Sequence, residues 1–238
     1  FTMRKYQKGS NNLPKYIQLT ESIIRDIASG RLLDGERLPP EKVMAKSLGV
    51  AVGTLRKCLK VLSEKKLLKQ IQGSGNYVCY VSNVSSIYSM FRLELHQGGG
   101  FPTAKVLSLK WLKKPNNFPT FGTSESGIRI RRLRYLDTIL IAIEEIWLDS
   151  GAGVLKLTDL NDSIYQVYQN KLGIWISSVE DRVSIKQVPN WAPKSFSIPV
   201  RALSGFVERF GWTNSKHSVE YSRTWFDFKK AHYVQRLR

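Results

Sequence analysis

The stretch that decides the fold is residues 49–60, which read GVAVGTLRKCLK, followed by residues 72–76, QGSGN. In the first stretch a turn around Gly49 leads into a helical pattern that carries Leu55 and Leu59 on one side and basic residues on the other. The second stretch is rich in glycine and lies between two short strand-like runs, which is typical of a β-hairpin. A turn, a basic helix and a β-ribbon in this order predict a winged helix-turn-helix, and DNA as the first partner.

Two further helices precede this stretch. Pro14 is suited to open a helix that runs to about Ser29, and Gly30 ends it. Residues 38–41, LPPE, suit the start of a second helix, because proline is tolerated in the first turn and glutamate there complements the helix dipole. We therefore predict a winged helix-turn-helix domain over residues 13–78, preceded by a flexible basic arm at residues 1–12.

Charge supports this position for the DNA-binding domain. The 238 residues carry a formal charge of +18, and such an excess indicates a polyanionic partner such as nucleic acid. Residues 1–80 hold 15 Lys and Arg against 6 Asp and Glu, so half of the excess lies in the first third of the chain. The length also allows a second domain with its own core.

After a linker predicted at residues 79–86, the pattern changes to strands. Apolar and β-favouring runs occur at 104–112, 128–136, 139–148, 174–188, 203–210 and 219–228, with a helix at 163–172. This order predicts an α+β domain with a mostly antiparallel sheet over residues 87–238.

Other features narrow the protein class. Cys58 and Cys79 have neither metal-ligand nor disulfide-framework spacing, so we expect reduced thiols, no metal and no cofactor. No apolar run approaches the roughly 18 residues that a membrane span needs. We therefore expect a cytoplasmic protein.

The predicted DNA contacts lie at the start of the third helix and in the hairpin turn, because the beginning of a recognition helix reaches base edges and a wing without side chains approaches DNA closely. Arg56 is the main candidate for a base or phosphate contact. Alternatively, the basic residues only solvate the outer helix face, and the glycines only form a turn. The candidate DNA-binding residues are Lys42, Gly53, Thr54, Arg56, Lys57, Lys60, Gly73, Ser74 and Gly75.

A pair of arginines marks a candidate site in the second domain. Arg132 and Arg134 share one face of a strand, with side-chain origins about 7 Å apart, and could clamp a phosphate or carboxylate. Glu144 lies on the next apolar strand and would need a partner there. A register shift by one residue would turn Glu145 inward instead. The alternative to a ligand site is a structural ion-pair network of these arginines with Glu144 or Glu220.

Four stretches of the first domain occur in a characteristic order: residues 13–18 (LPKYIQ), 30–39 (GRLLDGERLP), 48–57 (LGVAVGTLRK) and 73–78 (GSGNYV). Through these stretches the domain resembles the winged-helix domain of GntR-type bacterial transcriptional regulators, which implies association with the bacterial nucleoid through DNA. The chain departs from the family pattern at Val52, where an arginine that commonly reaches DNA is expected. The operator therefore does not transfer with the resemblance.

Short motifs occur in order along the second domain: residues 132–134 (RLR), Glu144, residues 163–165 (SIY), Arg209 and residues 219–222 (VEYS). Through these motifs the domain resembles the UTRA effector-binding domain of the HutC subfamily. The resemblance implies a chorismate-lyase-like α+β fold that binds a small molecule and pairs two chains into a homodimer. It places Phe226 where a tyrosine hydroxyl often helps. With Arg92 as an added charge from the preceding segment, the candidate effector-binding residues are Arg92, Arg132, Arg134, Glu144, Ser163, Tyr165 and Glu220.

Together these features predict a ligand-responsive transcriptional regulator, most simply a repressor, that binds a double-stranded DNA operator as a homodimer and responds to a small phosphorylated or carboxylated effector. One alternative is a small-molecule enzyme of chorismate-lyase-like fold fused to a DNA-binding domain. No catalytic residues are assigned, because His96, His217 and His232 lie beside no recognisable nucleophile or metal motif. A third possibility is an architectural or RNA-binding protein without a ligand response.

Overall fold

The computed structural model describes residues 14–79, 88 and 90–236. The predicted basic arm and all of the predicted linker except Cys79 lie outside the described residues. The chain divides into two compact units. The first unit runs to Glu94 and adds Gly98–Phe101 and the residues from Tyr233; the second contains Leu95–Gln97 and Pro102–His232.

The first unit contains three helices and a hairpin. The helices are α1 (Lys15–Ala28), α2 (Glu41–Leu48) and α3 (Val52–Glu64), and the hairpin strands are β1 (Leu68–Ile71) and β2 (Gly75–Val78), paired antiparallel. Ile23, Ile24 and Ile27 of α1 meet Leu55 and Leu62 of α3 in a core where each is at most 1% exposed. Leu55, which the helical pattern placed on the apolar side of α3, is therefore buried as predicted.

The turn between α2 and α3 depends on one glycine. Gly49 follows α2 with a φ of 66°, a left-handed conformation that glycine adopts without steric cost. Cys58 is buried in the adjoining core, and burial raises the pKa of its thiol to about 12. The thiol is therefore neutral and packs as an apolar group. Both cysteines are free.

The second unit is built on a six-stranded antiparallel sheet. Its strands are β4 (Pro102–Lys113), β5 (Ser126–Leu136), β6 (Ile139–Asp149), β7 (Ser178–Gln187), β8 (Leu203–Trp212) and β9 (Ser218–Phe226), in the order β4-β5-β6-β9-β8-β7. Two short strands, β3 (Leu93–Leu95) and β10 (Ala231–Tyr233), pair separately. The predicted α+β class with a mostly antiparallel sheet is confirmed, and all six predicted strands are present with shifted ends.

Both faces of the sheet are covered. On one face, Ile128, Ile130, Ile146 and Leu148 pack against the helical segment after β6. On the other face, Phe196 and its neighbours cover Leu133, Ile143, Phe206 and Trp225. The first of these faces carries the buried charges described below, because Arg132 and Arg134 continue the alternation that begins at Ile128.

The predicted helix at residues 163–172 is two successive segments. Ser163 caps the first, α4 (Ile164–Val167), by accepting a hydrogen bond from the Gln166 backbone N–H at 3.4 Å. A wider π-helical turn, Tyr168–Leu172, follows and ends at Gly173. This turn buries Tyr168 completely against the sheet.

Two structural features are absent from the described residues. None of their helices is long and apolar enough to cross a membrane. No group of three or more His, Cys, Asp or Glu side chains in these ranges could hold a metal ion.

Candidate DNA-binding and effector-binding sites

The basic residues predicted for DNA lie on the outer side of the first unit. Gly53, Arg56, Lys57 and Lys60 are exposed along α3, and Lys42 is exposed on α2. The inner side of α3 is fully occupied by apolar packing. The outer side of α3 is therefore accessible, and a DNA major groove has room for one such helix.

The start of α3 lacks features that a helix normally uses for its own stability. Ala51 occupies the N-cap position and provides no side-chain hydrogen bond. Gly53 is in the first turn, and a Cβ added there would meet nothing within 4 Å. Glycine in a helix costs about 1 kcal/mol relative to alanine, and packing inside the chain does not account for it. An uncapped helix start with a glycine in its first turn is suited to the close approach of a phosphate.

Arg56 has a partner that the sequence analysis did not anticipate. Its Nε donates to Glu41 Oε2 at 2.7 Å, and its side chain is 67% exposed. Such exposed pairs contribute about 0–1 kcal/mol, so a DNA phosphate or base can replace the carboxylate. Glu41 therefore positions the guanidinium at the helix surface.

The wing has the predicted glycine turn and one added cation. Gly73 and Gly75 have φ angles of 74° and 126°, conformations that side chains disfavour. Ser74 Oγ lies 2.7 Å from Tyr77 Oη, which orders the turn. Exposed Arg37, which the sequence analysis did not select, places its Nε 3.5 Å from where a Cβ of Gly75 would lie. In the sequence, only the position of Arg37 in the run before Leu38 indicates a role in the wing.

In the second unit, Arg132 and Arg134 converge on Glu144. Arg132 donates to Glu144 Oε2 through Nη2 at 2.6 Å and Nε at 2.9 Å, and Arg134 Nη1 lies 3.8 Å from the same oxygen. Burial alone would raise the pKa of Glu144, but Arg132 and Arg134 hold it below its usual value. The ion-pair network considered as an alternative is thus present between these residues.

The network leaves buried polar atoms without partners. Arg132 Nη1, Tyr168 Oη and Glu220 Oε2 are buried and have no hydrogen-bond partner within the described chain. Tyr168 is close enough to Glu220 to influence its pKa, although the two do not reach hydrogen-bond geometry. Unsatisfied buried donors and acceptors are rare and costly. The cluster therefore offers unused hydrogen-bonding capacity beside its ion pairs.

Glu220 adds a titratable group to the cluster. Its Oε1 accepts a hydrogen bond from Tyr165 Oη at 3.0 Å. Burial, assisted by the nearby charge of Glu144, raises the pKa of Glu220 to about 7. Burial and Glu220 in turn raise the pKa of Tyr165 well above its ordinary value, so that phenol stays a donor.

A third arginine joins from β8. Arg209 donates to both oxygens of Asp181, at 2.5 and 2.6 Å. Burial alone would lower the pKa of Arg209, but Asp181 and Tyr165 raise it. Arg209 belongs to the family motif but was not among the predicted effector contacts, and neither Asp181 nor Tyr168 was predicted. In the sequence, an arginine within the apolar run of β8 was the feature that could have indicated a buried charge at this position.

The other predicted effector contacts have different surroundings. Ser163 is buried at the start of α4, where it caps the helix. The backbone carbonyl of its neighbour Asp162 accepts a hydrogen bond from Arg134 Nη1 at 3.3 Å. Arg92 belongs to the first unit, where its Nε donates to Gln235 Oε1 at 2.8 Å.

Glu144 and Glu145 both face inward, on opposite sides of β6. Glu144 faces Arg132 and Arg134, whereas Glu145 lies on the opposite sheet face and pairs with Arg131 and Arg223. The side chain of Glu145 is 1% exposed and that of Glu144 is 15% exposed. Both are buried because both faces of β6 are covered.

The charges of the first face favour an anion with hydroxyl groups. Three guanidinium groups, those of Arg132, Arg134 and Arg209, share the carboxylates of Glu144 and Asp181, while Glu220 titrates near neutrality. Arginine suits a carboxylate or phosphate, and the tyrosines and Glu220 suit hydroxyl groups.

Comparison with known families gives two matches. The family described as "UTRA domain" matches residues 97–232. The family described as "Bacterial regulatory proteins, gntR family" matches residues 15–78.

Similar proteins are named as regulators. The chain is 47% identical over 235 residues to HTH-type transcriptional regulator SmoD of Agrobacterium fabrum, covering 98% of this chain and 100% of SmoD. It is 42% identical over 242 residues to the mannosyl-D-glycerate transport/metabolism system repressor MngR of Escherichia coli, covering 94% and 97%.

A solved structure has the same fold. The possible transcriptional regulator YydK of Bacillus subtilis matches with a TM-score of 0.53 and 19% identity, over 95% of this chain and 100% of that one.

Proposed function

Because this chain belongs to the gntR family of bacterial regulatory proteins and is a ligand-responsive, DNA-binding transcriptional regulator with a UTRA domain, we propose that it is a homodimeric repressor whose effector is a small hydroxylated anion. The matched families and relatives are named as regulators, which sets aside the enzyme and the architectural or RNA-binding alternatives.

The buried arginine cluster is the observation that carries the effector proposal. Arg132 binds Glu144 at 2.6 Å and still has Nη1 without a partner among the described residues. A ligand carboxylate or phosphate would satisfy that donor and add a charge partner for Arg134 and Arg209. Tyr165, Tyr168 and Glu220 would bind the ligand's hydroxyl groups.

The relatives support the same class of ligand and the same direction of control. MngR is named as the repressor of a mannosyl-D-glycerate system, a name that joins a sugar to a carboxylate. We transfer only this class: a sugar-like molecule bearing an acid group. In the proposed mechanism the effector binds one arrangement of the dimer more tightly and so shifts the population away from the arrangement that fits the operator.

For the DNA interface, we propose that the start of α3 reads the major groove and the wing approaches the minor groove. The exposed cations of α3, the uncapped helix start and the empty space at Gly53 support this assignment. Lys42, Thr54, Lys57 and Lys60 are assigned to phosphate contacts, as are Arg37 and Ser74 near the wing.

Thermal-shift measurements with sugar acids, sugar phosphates and matched neutral sugars test the effector proposal. We expect an acidic sugar to raise the melting temperature and to release an operator selected from random DNA, because ligands stabilise the folded state they bind. The neutral sugars should do neither. If no acidic sugar shifts the melting temperature, the proposed ligand class is wrong.

A pair of double variants localises the site. Arg132→Gln with Glu144→Gln removes the ion pair from the proposed site and leaves Arg134 with its hydrogen bond to the Asp162 carbonyl, and it should abolish the ligand-induced shift. Arg131→Gln with Glu145→Gln removes the neighbouring pair on the same strands but on the opposite face, and it should preserve the shift. Equal loss in both variants would indicate a general structural effect.

A further inference from the structure

The two edge strands of the large sheet differ in regularity: β4 contains a bulge and β7 does not. β4 has a register shift between Val106 and Ser108, and exposed Lys105, Lys110 and Lys113. Bulges and lysines are devices that natural proteins use to prevent edge pairing. β4 is therefore an edge built to remain unpaired, although Leu107 and Trp111 are also exposed.

β7, at the other edge, has no bulge, although it too carries exposed cations, Arg182 and Lys186. Its pairing with β8 runs from Ser178 to Gln187 without a register shift. Val183 and Ile185 are 50% and 67% exposed, and neighbouring Leu203 at the start of β8 is 60% exposed. A long, regular edge with exposed β-branched residues is a template for another strand.

The sequence of β7 is complementary to itself in one antiparallel register. A two-fold axis normal to the sheet keeps each face with its own face, so the register is defined by the residue on the axis. An axis at Val183 pairs residues 179–187 and places Glu180 opposite Lys186 of a second copy, twice by symmetry. Cross-strand pairs of opposite charge stabilise a sheet.

The neighbouring registers are less favourable. Axes at Asp181 or Arg182 place each of these charged residues opposite its own copy, and like charges directly opposite destabilise pairing. An axis at Ser184 places Arg182 opposite Lys186, and one at Ile185 pairs only residues 183–187 of the strand. The Val183 axis alone combines a long overlap with two attractive pairs and no like-charge pair.

The charged residues involved are available for this pairing. Glu180 accepts a hydrogen bond from Arg182 at 2.7 Å in a pair whose side chains are 49% and 61% exposed, so the interaction is weak and can be shared. Lys186 lies over the Phe206 ring at 4.5 Å on the same sheet face as Glu180. Its ammonium group has no ion-pair partner among the residues that the structure describes.

We propose that two copies of this chain join edge to edge through β7, with the two-fold axis at Val183, to form one continuous sheet across the dimer. The inference rests on the proposed homodimer and names its surface. It requires that each copy supply Glu180 to the partner's Lys186, which makes the interface dependent on charge complementarity at two symmetric points.

Charge reversal tests the register. Glu180→Lys alone and Lys186→Glu alone each create two like-charge pairs, so each should raise the dimer dissociation constant about tenfold, measured by light scattering over a dilution series. The double variant should dimerise like the wild type. An equimolar mixture of the two single variants should form heterodimers, detectable by native mass spectrometry, because every lysine then faces a glutamate.

Lys110→Glu, on the protected β4 edge, is the matched control and should leave the dissociation constant unchanged. Single variants that dimerise like the wild type, or a double variant that stays dissociated, would overturn the β7 interface while leaving the homodimer intact. A wild-type protein that is monomeric throughout the dilution series would overturn the homodimer itself. The ligand-induced melting shift, measured on the same variants, tests the effector site separately.

Discussion

At the scale of single residues, we expect Glu220 to make the stability of the protein depend on pH. Burial raises the pKa of this carboxyl to about 7, above the value near 4.3 of an exposed glutamate. Below both values the carboxyl is protonated in the folded and unfolded states. As pH rises, the unfolded chain ionises first, so this group increasingly opposes folding until the pH exceeds about 7.

Glu220→Gln should therefore stabilise the protein selectively at higher pH. The gain in unfolding free energy over the wild type should grow between pH 5 and pH 8 by about 3 kcal/mol, from 1.36 kcal/mol per pKa unit. Effector affinity should fall as pH rises through 7 in the wild type but not in the variant. The reason is that ionised Glu220 repels an anion bound beside Arg132, whereas protonated Glu220 or glutamine does not. Denaturant titration and calorimetry at both pH values check this; parallel pH profiles would contradict it.

Arg56 is the residue on which the DNA assignment depends most. We expect Arg56→Ala to cost about 1–3 kcal/mol in operator binding. Glu41→Gln removes only the carboxylate that holds Arg56 at 2.7 Å, and it should maintain or improve affinity because the guanidinium is released. Quantitative DNA titration distinguishes the two changes, and equal losses would assign Arg56 a purely structural role.

At the scale of elements, α3 has a destabilising glycine in its first turn and no side-chain hydrogen bond at its N-cap. Gly53→Ala fills empty space, so the free energy of unfolding should rise by about 0.5–1 kcal/mol through helix propensity. Operator affinity should nevertheless fall, because the added methyl group occupies the surface proposed to meet DNA. Ser63→Ala, at the other end of α3, is the control that should leave binding unchanged. An unaltered affinity in Gly53→Ala would remove the helix start from the interface.

The sheet elements show why periodicity predicts strands better than it predicts sites. Alternation identified β5 and β6 because their apolar residues recur along the strand. It also placed Arg132 and Arg134 on one face, which the structure confirms through their common partner Glu144. Asp181 was missed because an acidic residue in an exposed edge strand looks like ordinary surface until Arg209 on β8 faces it.

At the scale of the whole molecule, we expect the basic residues of the first unit, and not those of the second, to contact DNA phosphates. Cations that contact phosphates release counterions, so each contributes about one unit to the slope of log affinity against log salt. Lys57→Gln and Lys42→Gln should each reduce that slope by about 1. Lys110→Gln, a cation of equal charge on the β4 edge of the other unit, should not change it. Binding curves over a range of salt concentrations check the contrast, and a lower slope for Lys110→Gln would show that the second unit also contacts DNA.

The sequence by itself determined the class of this protein. Local patterns predict the turn, the basic helix and the glycine-flanked hairpin, and then six strands and one helix. These patterns can be recognised without knowing which strands pair. Only the tertiary structure decided which charges meet. The contacts between Arg56 and Glu41, Arg209 and Asp181, and Tyr165 and Glu220 join residues far apart in the chain. Their pairing and pKa depend on distance and burial, which arise when sheet register and loop packing bring separate segments together.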